Sequence, residues 1–268
     1  MTVHCDQKNQ KRLISDGFVV IDNFIVGSML EDLRVEFEKL TAGCVVSEKA
    51  QNGFQHSVRS DDLNGAHYPV LTSVARSEDL TALSKFFFNF WLENETSSTG
   101  AFEKIDFERN MLTGKSNNSN YHYDRIPALK VQIYLNDVDQ KNGAMSVVKG
   151  SHLACRKIAR MMLSENPNPL FLRNYLDSEE NPRDGVSIEA KAGTAIVFDT
   201  MLLHKGGEIR EGFRDTLRLV NYVPRLRDRY FGNDMQQSAG SFDIGDFHHP
   251  FAHEDKARVN PRFIYEVC

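Results

Sequence analysis

A histidine and an aspartate separated by one residue, His122 and Asp124, show the clearest potential for chemistry in this chain. Side chains at positions i and i+2 of an extended strand project from the same face, so both could point into one cavity. An imidazole nitrogen and a carboxylate oxygen are two of the three ligands of the facial triad that binds non-haem Fe(II). The pattern is short and also arises by chance on surface strands, so the metal hypothesis requires a second histidine.

A candidate for that second histidine is His204, which follows the buried-strand pattern of Gly193–Phe198. It lies 80 residues beyond Asp124, so the ligands would come from different strands of one barrel. A lone histidine at a strand end is usually a neutral structural group. We assign that structural role to His152, because a Ser-His pair at a turn commonly ties down backbone groups.

Arginines on the next predicted strand could bind an anion. Arg214 and Arg218 share one face of that strand. A guanidinium that faces inwards is costly to bury unless it meets an anion, and its planar fork suits a carboxylate. The alternative is a surface salt bridge with Glu208, Glu211 or Asp215, and the spacing does not decide between the two.

The strand after the His-x-Asp pair alternates apolar and polar side chains over Leu129–Leu135. This alternation predicts a half-buried strand whose polar face carries Lys130, Gln132 and Tyr134. The dipeptide Asn142-Gly143 then favours a tight turn into a return strand.

The order of predicted elements fits a single domain over residues 1–268, mainly β with flanking helices. Two amphipathic helical segments make residues 13–95 a helical support, and the barrel motifs occupy about 105–224. Residues 154–187 read as an insertion that could form a lid, and 225–268 as a C-terminal extension.

Composition excludes several classes of function. The formal net charge of −5 argues against a general nucleic-acid-binding surface, and no apolar run is long enough to span a bilayer. We therefore expect neither nucleic acid nor a membrane as a partner. The N-terminal residues show no secretory signal, and the four cysteines are scattered, which fits a reducing cytosol and a cytoplasmic location.

Taken in order, these segments resemble the phytanoyl-CoA dioxygenase family of Fe(II)/2-oxoglutarate oxygenases, over roughly residues 13–224. The resemblance is carried by Gly17–Phe24, His122-Tyr-Asp124, Leu135–His152, Gly193–Asp199 with His204, and Gly212-Phe-Arg214. Two positions depart from the family pattern. Lys149 replaces a proline that usually precedes Gly-Ser-His, and Glu208-Ile209 stands where Pro-Asn is common.

The resemblance implies a double-stranded β-helix, which is a cupin-like jelly-roll of two facing sheets with helices packed on one side. It implies that His122, Asp124 and His204 hold Fe(II). Arg214 would bind the C5 carboxylate of the cosubstrate 2-oxoglutarate, with Arg218 as the alternative. Gln132 and Tyr134 are further candidates for the cosubstrate site.

The implied reaction consumes O2, releases succinate and CO2, and oxidises an unactivated C–H bond, most commonly to an alcohol. Related halogenases have Ala or Gly in place of the carboxylate, so Asp124 favours hydroxylation, or desaturation, epoxidation or cyclisation. A non-redox Zn or Mn barrel (a hydrolase or isomerase) is the competing function, since the same ligands suit Zn. A non-redox Zn or Mn enzyme would not need the arginine that follows His204. A scaffold protein that has lost activity is the third alternative.

The substrate is expected to be a small molecule, and an anionic group on it is a hypothesis suggested by cations near the predicted mouth. The residues proposed to line that mouth are Arg125, Lys130, Gln132, Tyr134, Arg225 and Arg227.

Overall fold

The computed structural model describes residues 6–46, 53–91, 101–111, 120–124, 128–156 and 185–222. Most of the predicted lid, 154–187, and all of the extension, 225–268, lie outside the described residues. Arg125, Arg225 and Arg227 also lie outside them, so their predicted places at the mouth stay predictions.

A six-stranded antiparallel sheet forms the main wall of the fold, in the order β1-β7-β4-β9-β3-β2. Its strands are β1 (Phe18–Ile21), β2 (Phe54–Arg59), β3 (Lys104–Asn110), β4 (Ala128–Tyr134), β7 (Ala195–Asp199) and β9 (Arg214–Tyr222). A second, three-stranded sheet has the order β6-β5-β8. It contains β5 (Met145–Val148), β6 (Gly185–Ile188) and β8 (His204–Lys205).

The four α-helices with assigned bounds pack against the outer face of the large sheet. They are α1 (Gln7–Ser15), α2 (Ser28–Thr41), α3 (Pro69–Ala75) and α4 (Glu78–Trp91). Leu33, Phe37 and Phe87 from these helices join Val131 and Leu219 from the sheet in one apolar core. A shorter helical segment lies at 151–156.

The two sheets face each other across a second, smaller core. Ile196 and Phe198 of β7 meet Met145 and Val147 of β5 there, together with Tyr134 of β4. This two-sheet arrangement is the predicted jelly-roll, with helices on one side.

The polar face of β4 is more enclosed than the sequence predicted. Gln132 and Tyr134 are buried and Lys130 is partly buried, so neither face of β4 is open to solvent. The reason is the second sheet, which covers the face that a half-buried strand would expose.

Two further differences concern the edges of the fold. β2 lies within the segment 13–95 that was expected to give helical support, and it forms one edge of the large sheet, with β1 at the other edge. β6 begins at Gly185, inside the segment 154–187 that was expected to be an insertion. Within the parts of the chain described here, no helix combines the length and apolar character needed to cross a membrane.

Candidate metal centre

Three side chains predicted as metal ligands converge between the sheets. The Nε2 atoms of His122 and His204 lie 4.0 Å and 3.8 Å from Oδ1 of Asp124. Potential ligand atoms of all three residues lie within 4.8 Å of one another, and this is the one such cluster among the described residues. A single ion placed between them could therefore contact all three.

Backbone pairing brings these residues together. His122 and His204 form an isolated antiparallel bridge, in which each N–H donates to the other's carbonyl at 3.0 Å and 2.8 Å. The Asp124 N–H donates to Thr200 O at 2.8 Å. The i, i+2 spacing thus acts as predicted, although His122 occupies a single bridge rather than a continuous strand.

Hydrogen bonds orient both imidazole rings towards the common point. His122 Nδ1 lies 2.9 Å from Asn120 O, and His204 Nδ1 lies 2.7 Å from Leu202 O. A carbonyl oxygen only accepts hydrogen bonds, so each Nδ1 carries the proton and each Nε2 presents a lone pair. This is the tautomer that a metal ligand requires.

The electrostatics of the cluster suit a divalent cation. Burial lowers the pKa of His122, and burial together with the neighbouring His122 lowers the pKa of His204 to about 3. Burial alone would raise the pKa of Asp124, but Lys130 and the two imidazoles hold it well below its usual range. Two neutral imidazoles and one carboxylate therefore face each other at neutral pH, and this donor set fits Fe(II).

Arg214 is a buried cation that pairs with no carboxylate among the described residues. Its side chain projects from β9, and the residue is only 6% exposed. Nη1 donates to Gly143 O, and Nη2 donates to Asn110 Oδ1 at 2.8 Å. Nε has no acceptor, and Arg214 forms no ion pair with the described residues. Burial lowers the pKa of this guanidinium, which nevertheless stays charged.

Arg218 has a different environment. Its Nη2 donates to Glu108 Oε1 and lies 3.7 Å from Asp106 Oδ2. The structure therefore separates two arginines that the sequence left equivalent: within the described part of the chain, Arg218 forms ion pairs and Arg214 forms none.

The surface salt bridges considered as an alternative involve other partners. Asp215 binds Arg109, at 2.6 Å for the shortest contact. Glu208 pairs with Arg210 at 3.0 Å, and Glu211 with Lys141 at 3.6 Å. None of the three acids forms an ion pair with Arg214 or Arg218 in the described part of the chain.

Gln132 and Tyr134 line the same inner wall, opposite Arg218 and Thr216 respectively in the β4–β9 register. The Tyr134 hydroxyl accepts a hydrogen bond from Met145 N at 3.0 Å, and the side chain is completely buried. Tyr134 was predicted to line the mouth, but the small sheet covers it completely. Its use in a cosubstrate site stays a prediction.

Sequence reasoning gave Thr216 no role, and it placed Lys130 at the substrate mouth rather than beside a metal ligand. Thr216 lies two positions from Arg214 on the same face, and its buried Oγ1 has no hydrogen-bond partner among the described residues. Lys130 donates to Asp124 Oδ2 at 2.6 Å. The i+2 spacing from Arg214 could have indicated Thr216, but no spacing rule would have paired Lys130 with Asp124.

His152 lies away from the ligand cluster, as its structural assignment predicted. Its Nε2 is 2.9 Å from Ile14 O, so the ring ties the segment after β5 to α1.

The fold and the ligand cluster are those of the jelly-roll enzymes that use a His-Asp-His site. The sequence profile of phytanoyl-CoA dioxygenase (PhyH) matches residues 14–214. The chain therefore belongs to the phytanoyl-CoA dioxygenase family of Fe(II)/2-oxoglutarate-dependent oxygenases, and the predicted family is confirmed. No curated protein matches the chain in sequence.

Solved structures of similar fold share little sequence with this chain. The non-heme alpha ketoglutarate dependent carbocyclase SnoK from nogalamycin biosynthesis is 13% identical at a TM-score of 0.52, with 81% of this chain and 83% of that chain covered. The epimerase SnoN, in complex with Fe3+, alpha ketoglutarate and nogalamycin RO, is 16% identical at 0.52, with 80% and 82% covered. EctD from S. alaskensis, with 2-oxoglutarate and 5-hydroxyectoine, is 17% identical at 0.52, with 80% and 75% covered. These similarities confirm the predicted fold class.

Proposed function

We propose that this chain is an Fe(II)- and 2-oxoglutarate-dependent dioxygenase that oxidises an unactivated C–H bond of a small molecule, with hydroxylation as the expected outcome. The observation that carries this proposal is the combination of two features in one fold. A His-Asp-His cluster presents its ligand atoms to a common point, and Arg214 on β9 of the large sheet carries a buried guanidinium that forms no ion pair with the described residues.

In this proposal His122, Asp124 and His204 hold the metal, and Arg214 holds the C5 carboxylate of 2-oxoglutarate. Among the described residues, Nε of Arg214, Oγ1 of Thr216 and Nε of Arg218 are buried without a hydrogen-bond partner, and the first two would donate to that carboxylate. Gln132 and Tyr134 stay secondary candidates, since their row on β4 faces the same space. When bound, the iron and its cosubstrate supply the oxidising chemistry, and the protein supplies position and exclusion of water.

The lack of an ion pair to Arg214 in the described part of the chain favours this function over a non-redox Zn or Mn enzyme. The triad alone would serve both classes. A hydrolase or isomerase has no need for a buried cation that awaits an anion, whereas a dicarboxylate cosubstrate provides that anion. Leaving a buried charge unpaired is costly, so a resident ligand for Arg214 explains why the cost is tolerated.

Hydroxylation is the finer part of the proposal. Asp124 occupies the position that Ala or Gly would leave open for a halide, which argues against halogenation. The fold also supports other outcomes, because SnoK is a carbocyclase and SnoN is an epimerase. Isotope incorporation would distinguish these reaction outcomes, since a hydroxylated product gains one oxygen atom from 18O2.

Apart from Arg214, the cations of the described inner wall give no support to an anionic substrate. Lys104, Lys130 and Arg218 each form an ion pair with a carboxylate there, so their charges are already compensated. The hypothesis of an anionic substrate consequently depends on Arg125, Arg225 and Arg227, which are outside the described residues. We further propose a cytoplasmic enzyme without a nucleic-acid or membrane partner.

The decisive experiment is an anaerobic titration of the Fe(II)-loaded protein with 2-oxoglutarate, followed by visible absorption. Chelation of iron by the 2-oxo acid gives a weak charge-transfer band, which we expect in the wild type and not in His204→Ala. Succinate release under air is the second readout. A wild type that binds iron but gives no band would contradict the oxygenase proposal and favour the non-redox alternative.

A further inference from the structure

The two oxygens of the Asp124 carboxylate have different environments. Oδ1 faces the Nε2 atoms of both histidines, at 4.0 Å and 3.8 Å. Oδ2 accepts a hydrogen bond from the Lys130 ammonium at 2.6 Å. One oxygen is therefore presented to the metal position, and the other is occupied by a cation.

The backbone of Lys130 is fixed within a continuous strand. It lies on β4, which pairs with β7 on one side and β9 on the other. Its side chain is 16% exposed. Asp124 follows the isolated His122 bridge, and among the described residues its carboxylate accepts a side-chain hydrogen bond from Lys130 alone. The orientation of the carboxylate therefore depends on Lys130.

We propose that Lys130 is a positioning residue that keeps Asp124 a monodentate metal ligand, and this inference rests on the proposed function. A carboxylate can bind a metal through one oxygen or through both. An octahedral ion has six positions, of which the triad takes three, a chelating 2-oxoglutarate takes two, and one must stay open. A second oxygen from Asp124 would compete for one of those three non-protein positions.

The ammonium prevents that competition in two ways. It occupies Oδ2 with a charge-assisted hydrogen bond, and its charge repels a metal ion that approaches this oxygen. The same repulsion slightly opposes metal binding as a whole. Lys130 should therefore strengthen the binding of the cosubstrate and slightly weaken the binding of the metal. A purely structural ion pair would instead support both affinities.

The test compares two affinities in each variant, both measured by calorimetry with Mn(II) as a redox-inert probe. The first is the Kd of the protein for Mn(II), and the second is the Kd of the Mn(II)-loaded protein for 2-oxoglutarate. In Lys130→Met we expect the Mn(II) Kd to stay at the wild-type value or to decrease. We expect the 2-oxoglutarate Kd to increase about ten-fold. Lys130→Arg keeps a cationic donor and should restore much of the 2-oxoglutarate affinity.

Lys104 provides a matched control. It lies in the same row of the sheet, because Val220 of β9 pairs with Lys104 on one side and with Lys130 on the other. Its ammonium binds Asp106 at 2.9 Å, away from the triad. Lys104→Met removes the same charge from the same wall, and both Kd values should stay at the wild-type level.

The outcomes distinguish this inference from the proposed function. A wild type that binds Mn(II) but not 2-oxoglutarate would overturn the function itself. A wild type that binds both, with parallel weakening of both in Lys130→Met, would show that Lys130 only supports the fold of the site. Unchanged affinities in Lys130→Met would overturn the inference, and so would failure of Lys130→Arg to restore 2-oxoglutarate binding.

Discussion

Replacement of Arg214 by glutamine should weaken 2-oxoglutarate binding by at least about a hundred-fold. The wild-type guanidinium has five N–H groups, of which Gly143 O and Asn110 Oδ1 use two. Three N–H groups stay available, including Nε, and a carboxylate in the fork geometry takes two of them. A glutamine cannot form that charged fork.

The magnitude follows from the two bonds that are lost. Hydrogen bonds to charged groups contribute roughly 1.5–3 kcal/mol each, so the fork is worth about 3–6 kcal/mol. The glutamine amide and entering water would recover part of it. A net loss of about 2.7 kcal/mol corresponds to a hundred-fold change in Kd, which we take as the lower limit.

The assay uses two ligands so that loss of the fork can be separated from general damage. One ligand is 2-oxoglutarate, and the other is 2-oxopentanoate, which keeps the chelating end but has a methyl group in place of the C5 carboxylate. Wild type should strongly prefer 2-oxoglutarate, and Arg214→Gln should lose that preference. Because both ligands bind the same variant, misfolding cannot imitate this result.

Arg218→Gln is the control variant, since it removes a cation from the same face of β9. Its charge is compensated by Glu108 and Asp106, so its loss should leave the preference for 2-oxoglutarate largely intact. If Arg218→Gln abolished the preference while Arg214→Gln retained it, Arg218 would be the anchor. If neither substitution abolished the preference, other residues would bind the C5 carboxylate.

Three further substitutions test other parts of the site. Thr216→Val should weaken 2-oxoglutarate binding by about 1 kcal/mol, or roughly fivefold in Kd, without altering Mn(II) binding. Gly143 has φ +91°, and an added Cβ would lie 2.7 Å from Ile209 Cγ1. Gly143→Ala should therefore lower the free energy of unfolding by about 1–3 kcal/mol in denaturant titrations. The third variant is Asp106→Asn. Burial opposes ionisation of Asp106, but Lys104 and Arg218 outweigh it and lower its pKa below the ordinary value. Its carboxylate thus stabilises the fold above the unfolded pKa of about 3.9, and the stability advantage of wild type over Asp106→Asn should shrink as pH falls below that value. An advantage that stays constant through acid would refute this.

The strands were predictable because their signal is local. Alternation over Leu129–Leu135 predicted β4, found at Ala128–Tyr134, and the run Gly193–Phe198 predicted β7, found at Ala195–Asp199. The side-chain period of two also placed Arg214 and Arg218 on one face, as the register of β9 with β3 and β4 requires. Predictions of this kind depend only on residues that are close together in the sequence.

The different environments of the two arginines were not predictable, because they depend on the register between distant strands. Register places Asn110 of β3 opposite Arg214, and Asp106 opposite Arg218. A shift of two residues along β3 would keep the same face but place Glu108 opposite Arg214 and give it a counter-ion. The sequence fixes neither the partner nor its charge without that register.

The register of β3, β9 and β4 explains how ion pairs can stabilise the inner face of the large sheet while the same face still binds a ligand. Lys104, Lys130 and Arg218 lie on the inner face with carboxylates beside them, and such pairs offset much of the cost of burying charge. Arg214 instead donates hydrogen bonds to an amide oxygen and a backbone carbonyl oxygen. Both accept its protons, but neither carries a negative charge. A full set of paired charges would leave no electrostatic reason to bind a dicarboxylate. Among the described residues of this inner wall, Arg214 is the guanidinium without an ion pair, and we therefore expect an anion to bind there.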